Sequence, residues 1–292
     1  MQKPFPPFAC TTSPNVPELL MQMGITLAIS TYQAGKVVFI SAQNAEKIIQ
    51  LPRTFKKAMG IAFEGRRMAI ATQEEVVVLA NSPQLAGHYP NKPDTYDALF
   101  MPRATYYTGQ IDIHDLDYGT DGLYAVNTSF SCLIKIDDTY SFLPVWKPGF
   151  ISKMASEDRC HLNGMAMEAG QPRYATAFAA TDTPQGWRPV VTTDGLIFDV
   201  PSGELLATGV SMPHSPRIFD QKLFVLLSAT GELMEVDRQN GKLTPVTKLK
   251  GFVRGMARHG DYLFIGLSRL RKNSSTFAQL KIADEAQHAG IA

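Results

Sequence analysis

Six histidines occur in the 292-residue chain, and three of them stand in one kind of context. His114 lies in Ile113-His114-Asp115-Leu116-Asp117. His161 lies in Cys160-His161-Leu162-Asn163-Gly164-Met165-Ala166, and His214 in Pro213-His214-Ser215-Pro216-Arg217. Each follows a tight polar opening and precedes a run patterned as a buried strand. Val253-Arg254-Gly255-Met256-Ala257 and Ala58-Met59-Gly60-Ile61-Ala62 repeat the design with arginine and methionine in place of histidine. Neutral imidazole is a good ligand for zinc, iron or copper. Three such ligands leave an open position for water or substrate. Asp112, two residues before His114, serves in that reading as a fourth ligand or as the group that orients one. The same rings suit metal-free acid–base work, or the hydrogen-bonded lining of a water-filled channel. No HxH or HExxH spacing is present, so the three readings stay open at this level.

Arginines add a second signal. Arg254 occupies the position that histidine takes in the sister segments, and Arg217 and Arg269 lie near related positions, as do Arg103, Arg159 and Arg271. The planar guanidinium fork recognises carboxylate and phosphate. Asn127 and Asn163 are suited to holding a water or a substrate oxygen. Together these residues predict a small anionic ligand. Cys160 has Arg159 and His161 beside it in sequence, but neighbouring strand residues point to opposite faces. Buried, inert thiols are therefore expected at Cys160 and Cys132. Ser215 and Ser228 lack the strained strand-to-helix turn of a hydrolase serine.

These residues are scattered, so the elements that carry them must bring them together. From Ile25 onward the chain reads as short runs rich in Val, Ile, Phe and Tyr, bounded by Gly, Asp, Asn and Pro. Asn240-Gly241 and Pro201-Ser202-Gly203 supply hairpin turns. The runs group in fours with a period of roughly 40 to 55 residues, which is the mark of a β-propeller. The expectation is an all-β, six-bladed β-propeller over residues 25–292, preceded by an arm and a short helix over 1–24. Residues 27–30 align with second strands elsewhere, so the first blade is expected to lack its innermost strand. The chain stops inside the third strand of the last unit. That predicts an incomplete last blade, a missing closing strand and a truncated chain. Asn15 is the expected helix cap and Gly24 its stop.

In a propeller, the starts of the inner strands and the exits of the second strands share one face around the axis. Asp112, His114, His161, Asn163, His214 and Arg254 arrive from the former; Asn127, Thr128, Ser228 and Arg269 arrive from the latter. Two long loops, 181–195 with Trp187 and Arg188, and 269–287 with Lys272, Asn273 and Phe277, are placed to roof the site.

Composition bounds the function. Apolar residues make up 45% and charged residues 19% of the chain, which suits a globular protein with a real core. A net charge of +1 argues against nucleic acid as a partner. No run approaches membrane-spanning length, and residues 1–24 lack the charged start and apolar run of a signal peptide. Three cysteines match no disulfide or zinc-ribbon spacing. A cytoplasmic protein with free thiols is expected.

Several stretches resemble a bacterial family of uncharacterised proteins that share a domain of unknown function. They are TYQAGK at 31–36, KKAMGIA at 56–62, DIHDL at 112–116, NTSFSCL at 127–133, DRCHLNGMAM at 158–167, SMPHSPR at 211–217, SATGEL at 228–233 and GLSRLR at 266–271. The resemblance implies a propeller and brings no activity with it. In architecture the chain is similar to the regucalcin and gluconolactonase-like six-bladed propellers. These hold a divalent metal on the axis with carboxylates and asparagines, where this chain offers mainly histidines. The functional expectation is a polar His/Arg-lined axial funnel for a small anionic ligand, metal-assisted if a transition metal binds, and a hydrolase or lyase if catalytic. The alternative is a non-catalytic scaffold for a protein partner.

Overall fold

The computed structural model describes residues 10–269, 277 and 280–292. Helix α1 (Val16–Met23) opens it, with Pro17 in its first turn and Gly24 closing it in the left-handed conformation at φ 62°. Asn15 holds the expected cap position but makes no side-chain capping bond. Val16 N–H instead donates to the carbonyl of Ser13.

Six separate antiparallel sheets follow. Blade 1 holds β1 (Thr26–Thr31), β2 (Lys36–Ala42) and β3 (Ile48–Thr54). Blade 2 holds β4 (Ile61–Glu64), β5 (Arg67–Ala71), β6 (Glu75–Asn81) and β7 (Phe100–Tyr107), with a one-turn helix α2 (Pro83–Ala86) before β7. Blade 3 holds β8 (Ile113–Gly119), β9 (Gly122–Asn127), β10 (Cys132–Lys135) and β11 (Leu143–Trp146). Blade 4 holds β12 (Gly164–Glu168), β13 (Gln171–Ala177), β14 (Gly195–Asp199) and β15 (Leu205–Val210). Blade 5 holds β16 (Pro213–Phe219), β17 (Lys222–Leu227), β18 (Glu232–Val236) and β19 (Leu243–Lys248). Blade 6 holds β20 (Phe252–His259), β21 (Tyr262–Ser268) and β22 (Gly290–Ile291). The four full blades are simple meanders, and the inner strands β4, β8, β12, β16 and β20 pack in that order. The protein is a six-bladed β-propeller. Among the described residues its first and last sheets have three strands each, and β22 is the third strand of the last.

Strand alternation makes the ring. Successive side chains of a strand face opposite sides, so a strand buried on both faces feeds two cores. On β9, Leu123 and Ala125 enter the core shared with blade 2, while Tyr124 and Val126 enter the core shared with blade 4. Similar apolar layers join blades 1 and 2, 4 and 5, and 5 and 6. This explains why the second and third strands read as near-continuous apolar runs.

Close approach of blades at the axis requires glycine at two openings. A Cβ on Gly164 would come within 2.5 Å of Pro216 Cδ and 2.7 Å of Thr176 Oγ1, and one on Gly60 within 2.4 Å of Leu116 Cδ2. Gly164→Ala is expected to destabilise the fold by about 1–3 kcal/mol, the cost of overpacking a dense interior. Chemical denaturation reads it directly, and an unchanged midpoint would mean that the neighbouring blade simply yields.

Candidate functional site

The backbone just before the inner strands follows one local rule. Lys57, Asp112, His161 and Met212 are non-glycine residues held at φ 51°, 53°, 52° and 50°. That left-handed conformation is unfavourable for residues with a Cβ. In each case the next residue, Ala58, Ile113, Leu162 or Pro213, is buried. The residue after that is Met59, His114, Asn163 or His214. Blade 6 follows the same register without the strained residue. Val253 pairs with Leu267 as Ile113 pairs with Asn127 and Pro213 with Leu227, which gives Arg254 the place of His114 and His214. His161 is thus the exception among the three histidines. It occupies the strained position itself, and Asn163 takes the place that histidine has in blades 3 and 5.

His114 and His214 are held by the same device. His114 Nδ1 lies 3.1 Å from the Asp112 carbonyl and 2.8 Å from Thr128 Oγ1, and Thr128 donates its hydrogen to the Leu162 carbonyl at 2.6 Å. His214 Nδ1 lies 3.2 Å from the Met212 carbonyl and 2.7 Å from Ser228 Oγ, which donates to the Val253 carbonyl at 2.6 Å. A hydroxyl has one hydrogen, and both hydroxyls direct it to a carbonyl of the next blade. Each Nδ1 must therefore carry a proton and donate it, which leaves Nε2 as the lone-pair nitrogen. Burial, above all, pushes both imidazoles down in pKa. Burial lowers His114 to about 4, opposed by Asp112 and assisted by His161 and Arg254. His214 falls well below its ordinary value, with Arg254 the next cause after burial. Both rings are neutral at pH 7. His214 Nε2 is buried with no hydrogen-bond partner among the described residues.

Each hydroxyl also ties one blade to the next. Ser228→Ala leaves the Val253 carbonyl and the His214 Nδ1–H short of a buried partner, so a loss of about 1–3 kcal/mol is expected. Thermal denaturation checks this, and a melting temperature equal to that of the wild type would remove the tie from the account.

Blade 4 breaks the pattern. Where blades 3 and 5 have Thr128 and Ser228 after the second strand, it has Phe178. His161 takes a carboxylate instead: both oxygens of Asp158 lie 3.0 Å from its Nδ1. Trp187 Nε1–H donates to the same residue, at 3.0 Å to the carbonyl and 3.1 Å to Oδ2. The His161 ring stacks on Phe178 at 4.5 Å, leans on Trp187 at 4.3 Å and meets the edge of His114 at 4.9 Å. Phe178 in turn touches His214 at 5.1 Å, and Phe252 lies beyond it at 6.3 Å from His214. The two long loops do converge here. Trp187 and Val191 from one, and Leu280, Ile282 and Ala286 from the other, form one buried cluster with Phe178, Met212 and Phe252. Lys272 and Asn273, and Arg271 with them, lie outside the described residues.

The remaining site residues divide. Asn163 Oδ1 accepts from Thr176 Oγ1 at 2.7 Å, and Asn127 Oδ1 accepts from Phe130 N–H at 3.0 Å. The Nδ2 donors of both are buried without a partner among the described residues. Arg269 is exposed at the exit of β21. Arg217 is not available to a ligand in this arrangement, because its fork holds Asp115 through two 2.8 Å bonds while also donating to the Met165 and Pro216 carbonyls. Arg159 is likewise held by Glu157 and by Asp182 at 2.6 Å, and Arg103 lies on the outer strand β7. Burial pushes the Cys160 and Cys132 thiols up to about 12, as expected of inert cysteines. Among the described residues no three His, Cys, Asp or Glu side chains are grouped to hold a metal ion. Sequence reasoning missed Phe178 and the role of Asp158. The one available signal was the apolar residue that interrupts the Thr128/Ser228 series.

A sequence profile described as a domain of unknown function, DUF4915, matches residues 14–292. The chain belongs to the DUF4915 family. No curated protein matches it. Among solved structures the propeller is similar to the PQQ-bound aldose sugar dehydrogenase of Streptomyces coelicolor, at 14% identity and TM-score 0.55, with 84% of this chain and 86% of that chain covered. It is also similar to a putative oxidoreductase (glucose dehydrogenase) of Thermus thermophilus, at 12% identity and TM-score 0.50, with 84% and 88% covered. A third similar structure belongs to a nidogen/laminin complex, at 11% identity and TM-score 0.54, with 83% and 84% covered. At such identities the DUF4915 chain shares a fold with these proteins and nothing finer. No helix among the described residues is long and apolar enough to cross a membrane.

Proposed function

We propose that the axial mouth of blades 3 to 6 binds a small anionic ligand, specifically a monocarboxylate. The carrying observation is Arg254. It takes the His114/His214 position on β20, and its charge acts on both buried imidazoles. Arg254 supplies the positive charge for one anion, and the two neutral rings beside it add no competing charge. Asn163 Nδ2 supplies a further buried donor. The neutral Nε2 atoms accept hydrogen bonds and favour a ligand that also carries a hydroxyl or another donor. Two carboxylates, Asp112 at 3.8 Å from His114 Nδ1 and Asp158 at His161, stand at the same mouth. They disfavour a doubly charged phosphate and tolerate a singly charged group.

Calorimetry with acetate and pyruvate, and with inorganic phosphate for contrast, tests the reading. Arg254→Ala is expected to weaken carboxylate binding by about 1.5–3 kcal/mol, the value of a hydrogen bond to a charged group. Equal affinity in the variant, or tighter binding of phosphate, would reject it. Elemental analysis of the same sample addresses the metal-assisted form. Near-stoichiometric zinc, iron or copper that is lost in His161→Ala would replace the imidazole receptor with a metal centre.

A further inference from the structure

We infer that His161, held by Asp158, is a general base that removes a proton from carbon in a small 2-oxo acid bound at this mouth. The inference rests on the carboxylate-binding reading and adds a reaction to it. Three observations carry it. First, His161 Nδ1 lies at hydrogen-bond distance from a carboxylate, 3.0 Å to both oxygens of Asp158, whereas His114 and His214 hydrogen-bond to hydroxyls and carbonyls and the Asp112 carboxylate stands 3.8 Å from His114. A carboxylate behind the ring fixes the Nδ1–H tautomer, presents Nε2 as the acceptor and accommodates the positive charge that arrives with the proton. Asp158 is itself fixed by the Trp187 indole. Asp158 is therefore a positioning residue, and His161 the catalytic one.

Second, Asn163 Nδ2 is a buried donor with no partner among the described residues, two positions along the same chain from the base. Such a donor stabilises negative charge developing on a carbonyl oxygen. Third, the base sits against Phe178, Trp187 and the edge of His114, and its side chain is 12% exposed. An aromatic enclosure of this kind excludes water, which disfavours hydrolysis and favours a substrate that supplies its own proton. Arg254 provides the charge that anchors the carboxylate.

The step balances without an oxidant or a metal. The C–H bond next to the carbonyl breaks and an N–H bond forms at His161 Nε2. The electron pair moves onto the carbonyl oxygen to give an enolate facing Asn163. Return of the proton to the same or an adjacent atom regenerates the base, so the reactions within reach are exchange, epimerisation and isomerisation.

The test follows the C3 protons of pyruvate and 2-oxobutyrate by NMR in deuterium oxide, with the full chain as catalyst. Enzyme-dependent loss of those protons is expected. His161→Ala should lower the rate at least about 100-fold, the usual contribution of a positioned base. It should leave calorimetric binding of pyruvate in place. Asp158→Asn should slow exchange and also switch the His161 tautomer in nitrogen-15 spectra, a change that mere loosening of the fold would not produce. Binding without exchange overturns the catalytic inference and leaves the carboxylate site standing. Absence of both binding and exchange overturns the site reading itself. Exchange that survives in His161→Ala would assign the base elsewhere.

Discussion

Asp115→Ala is expected to cost about 3–5 kcal/mol of folding stability, the penalty for stripping one partner from a buried ion pair. Asp115 on β8 holds Arg217 on β16 through paired 2.8 Å bonds. It also accepts from Met165 N–H on β12 at 3.2 Å, and Arg217 donates back to the Met165 carbonyl at 2.8 Å. One carboxylate and one guanidinium thus join the inner strands of three consecutive blades. Asp115 is buried, so its removal leaves the Arg217 charge without both partner oxygens in a low-dielectric setting. Urea denaturation provides the measurement. A cost below about 1 kcal/mol would place the pair with surface ion pairs, which contribute little. The double variant Asp115→Leu, Arg217→Met should recover much of the loss, because apolar replacement of a buried pair is often neutral.

The second large effect is a loss of stability in mild acid. The ordinary histidine pKa is 6.5, and burial brings His114 to about 4 in the folded chain. Below pH 6.5 the unfolded chain therefore takes up a proton that the folded chain refuses. The stability is fully present above pH 6.5 and is lost as pH falls toward 4. At about 1.36 kcal/mol per unit, His114 alone removes about 3 kcal/mol by pH 4. His214, also pushed well below its ordinary value by burial and then by Arg254, adds to the loss. Asp117, pushed up from its ordinary 3.8 by burial, works in the opposite direction in mild acid, so the comparison with His114→Gln isolates the histidine contribution. Asp182, held at about 2 by hydrogen bonds from Ser152 and Arg159, releases its contribution only below its ordinary 3.8. Denaturation curves at pH 7, 5.5 and 4.5 should show the decline, and His114→Gln should flatten it. A flat profile in the wild type would mean that these rings titrate freely.

The sequence made the propeller legible because each blade repeats a period-two apolar pattern between turn residues, and both faces of its middle strands are buried. β9 illustrates this, with Leu123 and Ala125 serving one core and Tyr124 and Val126 the next. The meeting of His114, His161 and His214 was legible from the shared opening. Their inequivalence was not. His161 differs from the other two by a two-residue offset set by a left-handed backbone residue, and φ leaves no mark in residue type when Lys57, Asp112, His161 and Met212 all adopt it. Arg217 looked like a ligand-binding arginine because its partner Asp115 lies 102 residues away in sequence. Asp158 lies three residues before His161 and gives no sign in the sequence that it holds the ring.

The central claim is that His114 and His214 are neutral, Nδ1-protonated rings beside Arg254 in a carboxylate site. Nitrogen-15 spectra of the histidine rings at pH 7, recorded with and without pyruvate, test it most directly. The account predicts neutral Nδ1–H tautomers at His114 and His214, a shift of their Nε2 resonances on addition of pyruvate, and loss of that response in Arg254→Ala. Nε2–H tautomers, protonated rings at pH 7, or spectra unmoved by saturating pyruvate would contradict it.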